Sequence, residues 1–321
     1  MTILGVDLME KIERLNLAKE CISGGCGEDD KMYSMFLLCC YGLLDKFGSE
    51  YSELIKLVFS NSNFFIEDKP LQELISRAGY NYKVVKGEKA CSFTGVFATL
   101  DTQLNFGIDK EKPSIFINTT NISANDLLIT FTHEISHIIK GLIRNVIVEP
   151  EENIVAIRCG LSLAIYNTEN RDLNREIHNN ILDELTTVFQ TADMMNSICQ
   201  IERELLDDKT KLFYDKLKTY MLKFPSGYEK STPYFKPLWE NDCFKDLIDS
   251  NVIMGNIEKI EEEFDGIMGE NKFRRFSLAL DNLYCENYTG IKKLENDIIL
   301  KKMVYDYNRL TKKAEKKKLK S

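Results

Sequence analysis

The amino-acid sequence predicts a mostly helical (α+β) protein that contains one small antiparallel sheet. Apolar residues recur at helical spacing near both ends of the chain, whereas β-type segments are concentrated between residues 81 and 118. The 321 residues are 44% hydrophobic and 29% charged, which is typical of a soluble globular protein large enough to bury an extensive core. We expect three regions: an N-terminal helical region (1–80), a core (81–224) and a C-terminal helical region (225–321).

The N-terminal region is expected to be helical. Leu8, Ile12, Leu15 and Leu17 indicate the spacing of one helix, and two further apolar stretches follow at 32–47 and 54–59. A glycine-rich segment at 23–30 separates the first two stretches. Because it lacks the spacing of a phosphate-binding loop and carries acidic residues that would repel phosphate, we interpret it as a linker.

Residues 81–118 are predicted to form the sheet. The segments 82–85, 92–100 and 113–118 are rich in aromatic and β-branched residues, and turn-forming residues separate them. The last segment directly precedes a long apolar helix, for which Ser123 or Asn125 is the expected N-terminal cap. We expect the edge of the strand at 115–117 to be open to an extended peptide, which would pair with it through main-chain hydrogen bonds.

The apolar helix carries the most informative motif of the sequence, His133-Glu134-Ile135-Ser136-His137, which contains two of the three histidines in the chain. Residues four apart lie on the same face of a helix, so both imidazoles can bind one zinc ion. The intervening Glu134 is then placed to act as a general base on water that the metal activates. The sequence therefore predicts a site for one Zn²⁺ with His133 and His137 as ligands.

A catalytic zinc usually has a third protein ligand, and helical phase favours Glu184 for this role. On a helix predicted at 172–206, Glu184 falls within an apolar stripe, where a carboxylate needs a charged partner or a metal. Asp183 is expected on the solvent-exposed face of that helix. The other members of this face are Glu176, Asn180, Thr187 and Gln190. The alternative third ligands are His178, Glu149, Glu151 and Glu152.

These motifs resemble the gluzincin metallopeptidases, whose H-E-x-x-H helix is followed by a core helix that carries a glutamate. The resemblance covers residues 133–137 and, more loosely, residues 182–189. The long spacing to Glu184 is similar to that of the anthrax lethal factor-like branch. Asp183 stands where that branch has asparagine, and His178 stands near its tyrosine position. Residues 151–156 resemble instead the earlier E-x-x-A segment of gluzincins from phage and mobile elements.

The resemblance implies a zincin-like catalytic core in residues 81–224 that hydrolyses peptide bonds. It favours a protein or peptide over a small molecule as the substrate, because a gluzincin cleft is usually open at both ends. In this interpretation Glu134 is the general base. His178 is the first candidate to stabilise the oxyanion, and Tyr166 is the second. The alternative is a catalytically silent or regulatory protein, related to toxins or mobile elements. It would keep the metallopeptidase fold and use it to bind a partner.

Composition limits the other classes of function. A net charge of −8 and a pI near 5.2 argue against nucleic acid as a partner, despite a basic run at 312–320. No apolar run reaches the roughly eighteen residues of a transmembrane helix, and the N-terminus lacks the pattern of a signal peptide. Nine scattered cysteines without a C-x-x-C pair indicate reduced thiols and a cytoplasmic protein.

Overall fold

A computed structural model of the chain describes residues 3–23, 30–78, 92–94, 113–142, 145–149, 154–167, 176–217, 228–284 and 290–318. This part of the chain is mostly helical, as the sequence predicts. Its contacts divide it into two compact units, Met1–Ile139 with Gln190–Leu222, and Lys140–Phe189 with Lys223–Ser321. The boundaries at 139/140 and 189/190 each fall inside a helix, so two long helices contribute residues to both units.

The first unit contains helices and a three-stranded sheet. In chain order its elements are α1 (Ile3–Ile22), α2 (Asp30–Phe47), α3 (Ser52–Asn61), β1 (Asn63–Glu67), α4 (Leu71–Arg77), β2 (Ser92–Thr94), β3 (Ser114–Asn118), most of α5 (Ala124–Leu142), the end of α6 (Asn180–Ile198) and α7 (Asp208–Tyr214). Short 3₁₀ turns lie at Ser49–Tyr51 and Arg203–Leu205.

The small sheet is mixed, so the prediction of an antiparallel sheet is wrong for one of its strand pairs. The strand order is β1-β3-β2, with β1 parallel and β2 antiparallel to β3. The prediction of an all-helical N-terminal region does not include β1. Helix α3 ends where Ser62 adopts an extended backbone, and β1 begins at the next residue. Its sequence, Asn-Phe-Phe-Ile-Glu, has an unbroken apolar run instead of the alternation that marks a half-buried strand. Because β3 is paired on both sides, its edge at 115–117 is not open to a peptide, contrary to the prediction. The predicted strand at 82–85 lies outside the described residues.

An aromatic cluster packs the start of α5 against the N-terminal helices. Phe131 stacks on Phe36 with 5.0 Å between ring centroids, and it lies 5.7 Å from Phe64 and 6.3 Å from Phe59. Phe36, Phe59 and Phe131 are almost completely buried. Since aromatic side chains bury large apolar areas, this cluster fixes the helix two residues before His133.

The second unit contains a four-stranded sheet and the C-terminal helices. Its elements are β4 (Asn145–Glu149), β5 (Ile154–Cys159), β6 (Ser162–Asn167), β7 (Glu176–His178), the beginning of α6, α8 (Thr232–Trp239), α9 (Asp242–Val252), α10 (Ile257–Met268), α11 (Lys272–Asn282) and α12 (Ile291–Lys318). The strands are antiparallel in the order β4-β5-β6-β7. No sheet is expected after the motif helix, so this one is an addition to the predicted fold.

The helix that carries Glu184 begins later than predicted. Residues 176–178 form β7, and α6 begins at Asn180, whereas the sequence indicates a helix from residue 172. Asn179 separates the two elements with a left-handed backbone (φ 59°), a conformation that a helix cannot continue through. The Asp281 carboxylate then accepts hydrogen bonds from the backbone N–H groups of Asn179 and Ile181, both at 3.0 Å. This side chain from α11 caps α6, which is a tertiary interaction that local sequence does not show.

The predicted regions 1–80, 81–224 and 225–321 are contiguous, whereas the units defined by contacts are not, because α5 and α6 belong to both. Within the described residues, the helices are either too short or too polar to span a membrane. Cys21, Cys39, Cys40, Cys199 and Cys243 are free thiols.

Replacing Phe131 with alanine is expected to lower the free energy of unfolding by about 3–5 kcal/mol, because it leaves a cavity among three other rings. Leu57→Ala is the control, since Leu57 is 46% exposed in the neighbouring α3 and should change stability by no more than about 1 kcal/mol. Urea-induced unfolding followed by circular dichroism measures both. Equal losses for the two variants would contradict a central role of the aromatic cluster.

Candidate metal centre

The motif helix begins at a well-formed cap. The backbone N–H of Asp126 donates to Ser123 Oγ at 3.1 Å, and this hydroxyl donates in turn to the Asp126 carboxylate at 2.7 Å. Of the two predicted caps, Ser123 therefore makes the interaction. An acidic residue in the first turn also suits the positive end of the helix dipole. The cap and the Phe131 cluster together hold the segment that leads into His133.

The two histidines of the motif converge on one point. His133 Nε2 and His137 Nε2 lie 3.2 Å apart, and their rings are nearly perpendicular, with 78° between the planes. Two nitrogens held tetrahedrally by one zinc ion at about 2.0–2.1 Å would be about 3.3 Å apart. At least one of the two must present a lone pair, because facing N–H groups would repel each other. The pair thus has the donor chemistry and the spacing of a metal-binding pair.

Glu184 supplies a third donor from helix α6. Each of His133, His137 and Glu184 offers one ligand atom, and the three atoms lie within 4.8 Å of one another. All three residues are half-buried. Together they can hold a metal ion, and two imidazoles with one carboxylate form a donor set that suits zinc. The remaining position of a four-coordinate ion would be left for water or substrate.

Glu134 lies between the two histidines in the chain and is buried, with 7% of its surface exposed. A carboxylate in such a place is costly unless it has hydrogen-bond or ionic partners. Its burial distinguishes it from a solvated helix carboxylate. A carboxylate is also one of the groups that can act as a general base.

The prediction that Asp183 lies on a solvent-exposed face is wrong. Asp183 is 5% exposed, and Thr187 and Gln190 of the same predicted face are completely buried. Lys140 Nζ, from α5, lies 3.1 Å from Asp183 Oδ1 and also donates to the hydroxyl of Thr187. Helical phase fails here because α6 is buried on more than one face, so that Asp183 and Thr187 meet polar partners instead of water.

Lys140 is not among the residues predicted for the site. It is fully buried, three positions after His137, in the run Ile138-Ile139-Lys140-Gly141-Leu142. A lysine inside an apolar helical run was the available signal, because a buried ammonium requires an acidic partner. The sequence does not reveal which acid that partner is.

Several predicted site residues have side chains outside the described part of the structure. His178 belongs to strand β7, where its backbone pairs with Leu163, and Tyr166 belongs to β6. Their roles as oxyanion donors stay predictions. Of the alternative third ligands, Glu149 is described only by its place in β4, and Glu151 and Glu152 lie outside the described residues.

The comparisons with known proteins give no match: no protein-family model, no curated protein and no solved structure is similar to the chain. The geometry of the site and the sequence motif are therefore the features that indicate its function.

Glu184→Ala is expected to weaken zinc binding by about 100-fold or more, because loss of a direct ligand should exceed the 10–100-fold effect typical of outer-shell residues. Competition with a chromogenic chelator measures the affinity. Asp193→Asn is the matched control, since it also removes a carboxylate from α6, but one that pairs with Lys46 at 2.7 Å. Equal affinities of wild type and Glu184→Ala would remove Glu184 from the ligand set.

Proposed function

We propose that the protein is a zinc-dependent metallopeptidase of the gluzincin type that hydrolyses peptide bonds in a protein or peptide substrate. The observation that supports this best is the convergence of His133, His137 and Glu184, whose ligand atoms lie within 4.8 Å of one another, beside the buried Glu134. The two imidazoles bind the ion as neutral ligands and Glu184 binds it as a carboxylate. Zinc is proposed over harder cations because nitrogen donors are rare at magnesium and calcium sites.

The chemistry divides between the ion and the chain. When bound, zinc lowers the pKa of a coordinated water towards neutrality and polarises the scissile carbonyl. Glu134 accepts one proton from the attacking water as the water oxygen bonds to the carbonyl carbon. The carboxyl group then delivers this proton to the amide nitrogen as the carbon–nitrogen bond breaks, so that the products are a carboxylic acid and an amine. The burial of Glu134 favours this transfer, because few water molecules compete for the proton.

The substrate class in this proposal comes from the gluzincin resemblance. Pairing of a substrate with β3 is not part of the proposal, since both edges of that strand are already used. The net charge of −8 makes nucleic acid an unsuitable substrate. A partner-binding protein without activity is the alternative that the following experiment separates from a peptidase.

Glu134→Gln is expected to reduce cleavage of a peptide library by about 10²–10⁴-fold, because the amide cannot accept the proton from water. Mass spectrometry of the products measures cleavage, and elemental analysis of the same samples measures zinc. The variant should retain zinc, since Glu134 is not a proposed ligand.

Glu53→Gln provides the matched control, because it changes an exposed carboxylate of α3 to the same amide and should cleave like wild type. Undiminished cleavage by Glu134→Gln would refute the proposed mechanism. Zinc-loaded wild type that cleaves no member of the library would favour the silent partner-binding protein.

A further inference from the structure

A buried ion pair lies beside the candidate ligands on both helices. Lys140 follows His137 by three residues, about one turn of α5, and Asp183 directly precedes Glu184 on α6. The ammonium and the carboxylate are 3.1 Å apart, and the side chains expose only 1% and 8% of their surfaces. The hydroxyl of Thr187, one turn further along α6, is a second acceptor for Lys140.

The turn between β5 and β6 contacts the same carboxylate. The backbone N–H of Leu161 donates to Asp183 Oδ1 at 3.0 Å. The preceding Gly160 has a φ of +58°, and a Cβ at that position would lie 2.6 Å from Asp183 Oδ1. Glycine is therefore needed there both for the backbone conformation and for the close approach. Three separate segments meet at Asp183, namely α5, α6 and the β5–β6 turn.

The N-terminus of α6 is fixed independently by Asp281 of α11, which accepts from the backbone N–H groups of Asn179, just before the helix, and of Ile181 in its first turn. The helix is thus held at its first turn and again at Asp183. Glu184 is the residue that follows. A helix fixed at these two places can neither rotate nor slide without breaking a buried hydrogen bond, so the starting point of the Glu184 side chain is fixed as well.

Burial of this pair is a poor way to gain stability. Removing an ammonium and a carboxylate from water costs free energy that their attraction often fails to recover, and apolar pairs of similar volume are frequently as stable. The ion pair provides a directional contact between α5 and α6, which an apolar pair would not provide. Because the pair lies next to His137 and Glu184, such a contact affects the geometry of the metal site.

We propose that Lys140 and Asp183 are positioning residues that set the register of Glu184 relative to His137 and thereby determine the zinc affinity. This inference rests on the proposed zinc site. By occupying the Asp183 carboxylate, Lys140 also leaves Glu184, and not its neighbour, as the acid that completes the ligand set.

The test compares zinc affinity with the stability of the metal-free protein in the full-length chain. Lys140→Met removes the ammonium and leaves a buried carboxylate, so both quantities should fall, the affinity by about 10–100-fold. The double variant Lys140→Met/Asp183→Asn also removes the excess negative charge, and the amide oxygen can still accept from Leu161. Its thermal midpoint without metal should return towards that of wild type, while its zinc affinity stays about tenfold or more below wild type.

The matched control is Lys46→Met/Asp193→Asn, which removes another lysine–aspartate pair that links α6 to a different helix. It should leave zinc affinity unchanged whatever it does to stability. Zinc affinity that recovers together with the thermal midpoint in the Lys140/Asp183 double variant would show a merely structural pair and overturn the inference. Equal zinc binding by all variants would overturn it too, and leave the proposed function standing. Failure of wild type to bind zinc would overturn both.

Discussion

The convergence of two imidazole nitrogens within one turn of α5 is the constraint on which the site depends. Helical geometry places the two side chains on the same face of α5, and their rings bring His133 Nε2 within 3.2 Å of His137 Nε2. The third donor is different, because it comes from another helix, 47 residues further along the chain than His137. Glutamate can adjust its reach by rotating its side chain, provided that its helix is held in place. The quality of the site therefore depends on how α6 is held.

The two helices are held by interactions of different kinds. Phe131 anchors α5 through apolar packing, which is strong but non-directional and tolerates small shifts. Asp281 and the Lys140–Asp183 pair anchor α6 through hydrogen bonds that weaken steeply when distances or angles change. Apolar contacts supply the stability of this arrangement, and the polar contacts specify one register among several that packing alone would allow. This division explains why charged residues occupy buried positions beside the site.

The sequence is sufficient for those features that are local. The mostly helical fold, the motif helix and its Ser123 cap follow from spacing and capping chemistry within a few residues. The features that the sequence does not give are tertiary. Strand β1 pairs with a strand some fifty residues away. The sheet β4–β7 is an exception, because its strands at 145–149 and 154–159 are rich in β-branched residues, which is a local signal that the prediction overlooks. The start of α6 depends on Asp281, about a hundred residues downstream.

The neighbouring acids Asp183 and Glu184 show where helical phase stops being informative. Phase assigns one acid to the protein interior and the other to water, but α6 buries Asp183 while Glu184 is only half-buried. The structure nevertheless brings Glu184 together with both histidines. What distinguishes the two acids is their partners, since Asp183 could coordinate a metal only by giving up buried hydrogen bonds from Lys140 and Leu161. A buried donor that is remote in sequence decides which acid is available, and no periodicity within the helix contains that information.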